Sequence, residues 1–369
     1  MEAAQVPPLN FSGILPTMRV LIVRLSSMGD VVHTLPALTD AARANATIQF
    51  DWAVDEAFAD IPAWHSHVEN VFPIALRRWR RELTSGDGRS EVKDYLKGLR
   101  REPYDAIVDL QGEFKSAFVA RQARGPRYGY DGASAREWGA HLAYRNKLAV
   151  PKGEHSMARM RRLLSQALSY SYDEGLIDYG IARDRLPSPA LQTEKPYVVF
   201  IHSTSWTSKN WPEQYWRELA ERATVAGFSV LLPWGSEAEC ERSHKIAAGV
   251  ANVIVLPKLS ISDKASIISR AAATVGLDTG LSHIAAALDI PSVTLYGATD
   301  PNMCGTIGKN QIRITSEFEC VNCHDTDCSF TKSAFKPACF EAMTPDSVWR
   351  RLEQLLGASV KSVHAYQIA

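Results

Sequence analysis

The sequence predicts an α/β protein built from two open, mostly parallel sheets in tandem. Three observations carry this. Short β-branched runs alternate with helical spacing along most of the chain, which is the grammar of parallel strands with helices on their faces. The pattern fades between Ser171 and Lys195, where Pro187, Pro189 and several charges intervene, and then restarts. A length of 369 residues exceeds one ordinary domain and suits two. The expected division is an extension over residues 1–17, disordered in this reading, a first Rossmann-like domain over 18–185 and a second over 186–369.

Composition narrows the class. The chain is 46% hydrophobic and 22% charged, the balance of a soluble globular protein with a sizeable core. Lys and Arg number 41 and Asp and Glu 41, so no overall field draws nucleic acid or a membrane surface, and any such attraction is local. Residues 1–17 have neither the positive start nor the apolar stretch of a signal peptide, and Met18 is itself a candidate translation start. No apolar run reaches the ~18 residues a membrane span needs.

In chain order, Met18 to Leu25 reads as a buried central strand. Ser26 and Ser27 are N-cap types, Gly29 permits a tight turn, and Val31, Val32, Leu35 and Leu38 space a helix. Asp30 therefore falls in the first helical turn at the carboxyl edge of a sheet, where open α/β sheets bind ligands; a plain helix-dipole role fits it equally well. Ile48 to Val54 and Val68 to Leu76 are further strands, followed by the run Arg77-Arg78-Trp79-Arg80-Arg81 and a helix through Tyr95 and Leu99. Tyr104 to Leu110 is a strand that Gln111-Gly112 turns into a helix near Phe114; a short strand at Arg127 to Tyr130 precedes helices expected from about Ser134 and over Glu154 to Tyr170.

The second half repeats the scheme. Tyr197 to His202 is a strand whose polar loop leads to a helix with Pro212 in its first turn. Phe228 to Leu232, Val253 to Leu256, Ala273 to Gly276 and Ser292 to Tyr296 are strands, with helices over Glu237 to Ala248, over Asp263 to Arg270 and from Asp278-Thr279-Gly280 onward.

The motifs that would name a chemistry outright are missing. Neither first strand is followed by GxGxxG, and there is no GxxxxGK[ST] or GxSxG, which disfavours a dinucleotide enzyme, a P-loop NTPase and a serine hydrolase. Asp325-Thr326-Asp327 has the form of a metal-binding DxD but follows no strand, and ordinary loop composition accounts for it. What remains are polar strand-to-helix loops. Thr204, Ser205 and Lys209 offer hydroxyls, amides and an ammonium suited to a diphosphate. Asp278, Thr279, Gly280, Leu281 and His283 put a carboxylate beside a helix start, and Glu239 could accept ribose hydroxyls; N-capping and solvation are the plainer readings of each. The RRWRR run follows a strand and suits phosphate or carboxylate groups better than nucleic acid.

SSMGDVVHTLPAL together with DTGLSHIAAAL, and with YDAIVDLQG, SKNWPEQYWREL and LLPWGSEAE between them, resembles glycosyltransferase family 9, the lipopolysaccharide heptosyltransferases, over most of the chain from Met18. The nearest resemblance is to the branch that adds the first inner-core heptose. It implies a GT-B fold, two Rossmann-like domains across a cleft, with ADP-heptose held mainly by the second and the lipid acceptor mainly by the first. The implied reaction is inverting transfer of L-glycero-D-manno-heptose from ADP-heptose to Kdo of Kdo2-lipid A, with no cofactor and no metal. Asp30 matches the catalytic base; Thr204, Ser205 and Lys209 match the diphosphate site, Glu239 the ribose contact, Leu259 the adenine flank, and Asp278, Thr279, Gly280, Leu281 and His283 the loop around heptose and phosphates. Arg77, Arg80, Arg81 and Arg136 match positions for the anionic acceptor. The implied location is cytoplasmic, peripheral on the inner membrane, without nucleic acid or a protein partner. Alternatives are an enzyme of the heptosyltransferase II type acting on a heptosylated core, or a nucleotide-sugar-binding paralogue without catalysis.

The tail departs from that branch. Cys320, Cys323, Cys328 and Cys339 lie in a segment over 320–339, ahead of a C-terminal helix. A structural metal site with His324 as an alternative ligand is one reading. Reduced thiols are the simpler one, since the spacing matches no strong zinc pattern.

Overall fold

The computed structural model describes residues 17–82, 86–188, 193 and 195–366. Apart from Thr17, the expected disordered extension lies outside the described residues. Two sheets of six parallel strands form the frame. The first contains β1 (Met18–Val23), β2 (Ile48–Asp55), β3 (Val68–Ile74), β4 (Ala106–Asp109), β5 (Arg127–Tyr130) and β6 (Asn146–Leu148) in the order β3-β2-β1-β4-β5-β6. The second contains β7 (Tyr197–Ile201), β8 (Ser229–Leu232), β9 (Val253–Val255), β10 (Ala273–Leu277), β11 (Ser292–Tyr296) and β12 (Gln311–Thr315) in the order β12-β11-β10-β7-β8-β9. Read from its own first strand, each sheet has the same doubly wound order. The winding reverses between β1 and β4 and again between β7 and β10, and the crevice at such a reversal is where these sheets take ligands.

The connecting helices are α1 (Met28–Ala44), α2 (Asp60–Ala63), α3 (Leu76–Glu82), α4 (Gly86–Leu99), α5 (Phe114–Ala120) and α6 (Ser156–Leu168) in the first half. The second half has α7 (Glu213–Val225), α8 (Glu237–Ala247), α9 (Ile261–Ile268), α10 (Gly280–Ala287), α11 (Pro301–Cys304) and α12 (Pro345–Tyr366). Burial explains the strand composition: Val20, Leu21, Ile22 and Val23 are wholly buried, because helices cover both faces of β1. Each such side chain contributes ~1.5–3 kcal/mol relative to exposure. One face of the first sheet packs on α1 and α6, the other on α3, α4 and α5. Arg161 of α6 grips Asp40 of α1 through Nε at 2.6 Å and Nη2 at 3.1 Å and also donates to three backbone carbonyls, so this buried pair is fully satisfied and fixes the helix that carries Asp30.

The two halves share one apolar core, which runs from α1 and α6 of the first into β7, α9 and α10 of the second. Polar contacts close the same seam. Trp64 donates to Ser262 at 3.0 Å, Asp60 accepts from the Ser262 amide at 3.0 Å, and Tyr179 donates to the Ile307 carbonyl at 2.7 Å.

Several sequence expectations need correction. The helix expected from about Ser134 is a series of turns ending in a short 3₁₀ segment at Ala140–Ala143. Asp131 accepts from the Ser134 amide at 2.8 Å, an Asx turn that competes with helix, and Gly139 at φ 96° takes a left-handed step no α-helix accommodates. The strand expected to reach Leu76 ends at Ile74, and the RRWRR run is helical, with Trp79 as its buried anchor. The edge strands β6 and β12 carried no signal strong enough to be anticipated.

Candidate active site

The loops at the two winding reversals face each other and enclose a cavity of about 560 Å³. After β1 the chain passes Arg24 and Leu25 to Ser27, which N-caps α1, and Asp30 occupies the third helical position. Its carboxylate meets the Arg24 guanidinium at 2.6 Å and that of Arg136 at 3.3 Å, and faces the Ser27 amide at 3.4 Å. Arg24 is buried and anchored on the Leu110 carbonyl at 2.7 Å, whereas Arg136 is 40% exposed and shared with Glu113 at 3.5 Å. Burial by itself would raise the Asp30 pKa, but the two guanidiniums outweigh it and hold the carboxyl well below the usual carboxylate range. Asp30 is thus ionised and weakly basic while both cations stay in place.

The opposite wall comes from the second half. After β7, Asn210 accepts from the Thr204 amide at 3.1 Å and fixes the loop bearing Thr204 and Ser205. The Thr207–Lys209 turn is pinned by the segment that resembles a DxD motif: Thr207 donates to Asp327 at 2.6 Å, and Ser208 donates to the Thr326 carbonyl through its amide and to the Asp325 carbonyl through its hydroxyl. That segment therefore positions Lys209. Lys209 sits over the Trp206 ring at 4.4 Å and donates to Asp278 at 2.7 Å. Asp278 follows β10, also accepts from Thr299 at 2.7 Å, and lies 3.6 Å from His283. Burial works to raise its pKa; the His283 hydrogen bond and the Lys209 charge prevail and lower it far below the usual value.

Two helices begin at this cavity, α1 from one half and α10 from the other, and they interlock through glycines. A Cβ on Gly29 would lie 2.7 Å from the His283 ring, and a Cβ on Gly280 would collide with Met28. Both starts present amides without intrahelical acceptors and the positive end of a helix dipole. Such ends, with an ammonium and hydroxyls between them, suit a diphosphate.

Most of the residues singled out in the sequence meet here: Asp30 and Arg136 from the first half, and Thr204, Ser205, Lys209, Glu239, Asp278, Thr279, Gly280 and His283 from the second. Glu239 lines the cavity, and its carboxylate accepts the Gly235 amide at 2.6 Å within a capping box. Leu259 and Leu281 are not part of the lining; both pack against the shared apolar core. Arg77, Arg80 and Arg81 are exposed on α3 and do not line the cavity, while Arg78 of the same run is committed to Glu56 and Glu91 at 2.9 and 2.7 Å. The four cysteines surround a small separate cavity of about 70 Å³ behind the Lys209 loop. All are free thiols, with Cys339 pushed up to about 12 chiefly by burial. Among the described residues, no group of three or more His, Cys, Asp or Glu has the arrangement of a metal site.

Sequence reasoning missed Arg24, His33 and Thr299. His33 is buried against the rings of His283 at 4.5 Å and His155 at 5.0 Å, and burial and its histidine neighbours keep it neutral. It lies three residues past Asp30 on α1, a spacing that shares a helix face and could have flagged it.

Comparison with known proteins supplies the rest. The profile of Glycosyltransferase family 9 (heptosyltransferase) matches residues 92–334. The chain belongs to glycosyltransferase family 9. This heptosyltransferase is 45% identical to lipopolysaccharide heptosyltransferase 1 of Pseudomonas aeruginosa, over 92% of this chain and 98% of that one. It is 47% identical to lipopolysaccharide heptosyltransferase 1 of Escherichia coli K12, over 80% and 92% of the two chains. Its fold superposes on the solved structure of E. coli heptosyltransferase WaaC with ADP at a TM-score of 0.80 and 41% identity, covering 92% of this chain and all of that one. The enzyme thus has the GT-B architecture.

Proposed function

We propose that the enzyme transfers L-glycero-D-manno-heptose from ADP-heptose to a Kdo hydroxyl of Kdo2-lipid A, with inversion, at the cytoplasmic face of the inner membrane. The observation that carries this reading is the convergence of an ion-paired carboxylate from the first half and a Lys–Asp–His cluster from the second on one cavity. Relatives 45–47% identical are named heptosyltransferase 1, and one solved relative at 41% identity holds ADP-2-deoxy-2-fluoro heptose.

In this mechanism the acceptor oxygen attacks the anomeric carbon while Asp30 takes its proton. The bond from that carbon to the β-phosphate oxygen breaks, and its electron pair leaves with ADP. Lys209, the α10 amides and the Thr204 and Ser205 hydroxyls meet the charge that develops on the leaving diphosphate. Asp278 holds Lys209 and His283 in position for that task. Arg136 is the exposed member of the pair around Asp30, so it can turn to the carboxylate of an incoming Kdo. Asp30 then keeps one cation where it had two, and its proton affinity rises at the moment the acceptor arrives. Arg77, Arg80 and Arg81, at the rim of the first half, attract the remaining anionic groups of the acceptor.

Incubation of the purified protein with ADP-heptose and Kdo2-lipid A, followed by mass spectrometry, tests the assignment. The expected product is heavier by one heptosyl unit. Absence of that product, or transfer to a heptosylated core alone, overturns it.

A further inference from the structure

Four of the large apolar side chains left in solvent gather on one patch of the first half. Phe114 and Phe118 lie one turn apart on α5, and Trp138 and Leu142 lie on the neighbouring 134–145 segment; their exposures are 60%, 59%, 79% and 67%. The patch is built and held in place. Ala117, Ala140 and Tyr144 pack α5 against the 3₁₀ turn, the Phe114 amide donates to Glu137 at 2.6 Å, and the Phe114 ring lies over Gly139. Isolated exposed apolar residues need no explanation, but an ordered aromatic cluster does.

Charge selects the partner. Residues 113–147 contain seven Lys and Arg against three carboxylates, although the whole chain is electrically balanced. Lys115, Arg121, Arg124, Arg145 and Lys147 of this segment are exposed. On the same sheet face as α5, α4 presents Lys93 and Lys97 together with Glu91 and Asp94, and Arg100 just past its end donates to the carbonyl of Gln122 just past α5 at 2.9 Å, which joins the ends of the two helices. Aromatic and leucine side chains inside a rim of cations match an anionic lipid surface, where apolar groups enter the headgroup boundary and cations meet the lipid charge. The patch also adjoins the cleft: Lys115, beside Phe114, reaches Ser26 at 3.0 Å, four residues before Asp30.

We propose that Phe114, Phe118, Trp138 and Leu142, rimmed by the cations of α4, α5 and the 134–145 segment, form a docking surface for an anionic phospholipid bilayer. This rests on the proposed lipid acceptor, since a headgroup whose acyl chains stay in that bilayer is then presented at the Asp30 side of the cavity.

Sedimentation with vesicles of phosphatidylglycerol mixed with phosphatidylcholine tests it. The wild-type protein partitions onto these vesicles, less onto phosphatidylcholine alone and less at high salt. The quadruple variant Phe114→Ser, Phe118→Ser, Trp138→Ser and Leu142→Ser loses about a hundredfold in partitioning. Because all four side chains are exposed, its melting temperature stays close to wild type; a second variant, Lys93→Gln, Lys97→Gln and Arg121→Gln, loses about fivefold per cation and keeps the surface testable if the first is unstable. No vesicle binding by the wild type, equal binding by both variants, or a protein dimer that the quadruple variant abolishes in the absence of vesicle binding would each overturn the proposal. Turnover of ADP-heptose with a Kdo glycoside lacking acyl chains separates the two readings. Equal rates for wild type and quadruple variant are expected, whereas no turnover by the wild type with either this glycoside or Kdo2-lipid A refutes the proposed reaction and leaves the vesicle result to decide the surface.

Discussion

Asp30 and Asp278 both lie in strand-to-helix connections at a winding reversal, the first in the opening turn of the helix after β1 and the second directly after β10, and each is ionised well below the usual carboxylate range. Their surroundings differ in one respect. Asp278 is enclosed by Lys209, Thr299 and His283, of which the lysine and the histidine have side chains at most 14% exposed. Asp30 has one buried partner, Arg24, and one exposed partner, Arg136. The first arrangement is a fixed counter-ion that orients a cation. The second can lose a partner to a ligand, and in the proposed mechanism the same fold edge thereby yields a positioning residue in one half and a reactive one in the other.

The comparison breaks most sharply at Asp30. Asp30→Asn is expected to lower kcat by about a thousandfold, the scale of general-base catalysis, and to leave ADP-heptose affinity unchanged by calorimetry. An equal loss of donor affinity would place this carboxylate on the donor side. Changes at the opposite wall act on the donor instead. Lys209→Ala should weaken donor binding and slow transfer together, by about ten- to hundredfold, as expected for loss of a charge-assisted contact. Asp278→Asn adds a fall in melting temperature, because an uncompensated buried cation costs ~3–5 kcal/mol.

Smaller effects test the rim. Neutralising Arg77, Arg80 and Arg81 together should raise the acceptor KM by about tenfold, in keeping with exposed charges, with the donor KM unchanged. The reverse pattern would move these residues to the other substrate. The smallest effect is on stability against pH. Burial, the largest cause in each case, holds His65 and His155 down to about 4, from 6.5 in the unfolded chain. Both stay neutral in the fold while the unfolded chain takes up protons, so stability falls as pH drops from 6.5 towards 4. The depressed Asp30 and Asp278 contribute above 3.8, and their share is lost only below that value, outside the histidine window. His155→Gln should flatten the melting temperature between those limits, and an unchanged slope would remove His155 from the effect.

Much of this is legible in the sequence. The β-branched runs located the central strands, because a strand buried on both faces has no room for polar alternation. The polar residues after those strands located the cavity, because the carboxyl edge of a wound sheet is shared space. What escaped has physical reasons. The strand β6 is three residues long and β12 half-exposed, so neither writes a strong apolar signature. Arg24 and Thr299 act through contacts from other loops, which no periodicity records. Leu259, expected from family resemblance, and Leu281, expected from its place in the Asp278 to His283 loop, both pack against the core. The segment after Ser134 has helical composition, but its Asx turn and left-handed glycine override that preference.

The interlock of Gly29 with His283 and Gly280 with Met28 brings two positive helix ends face to face across the cleft. An anion seated between them favours the arrangement in which they are close over any in which they are apart, so occupancy and closure form a single linked equilibrium. For the proposed reaction the nucleotide diphosphate product is such an anion, so its release is linked to the parting of the two halves.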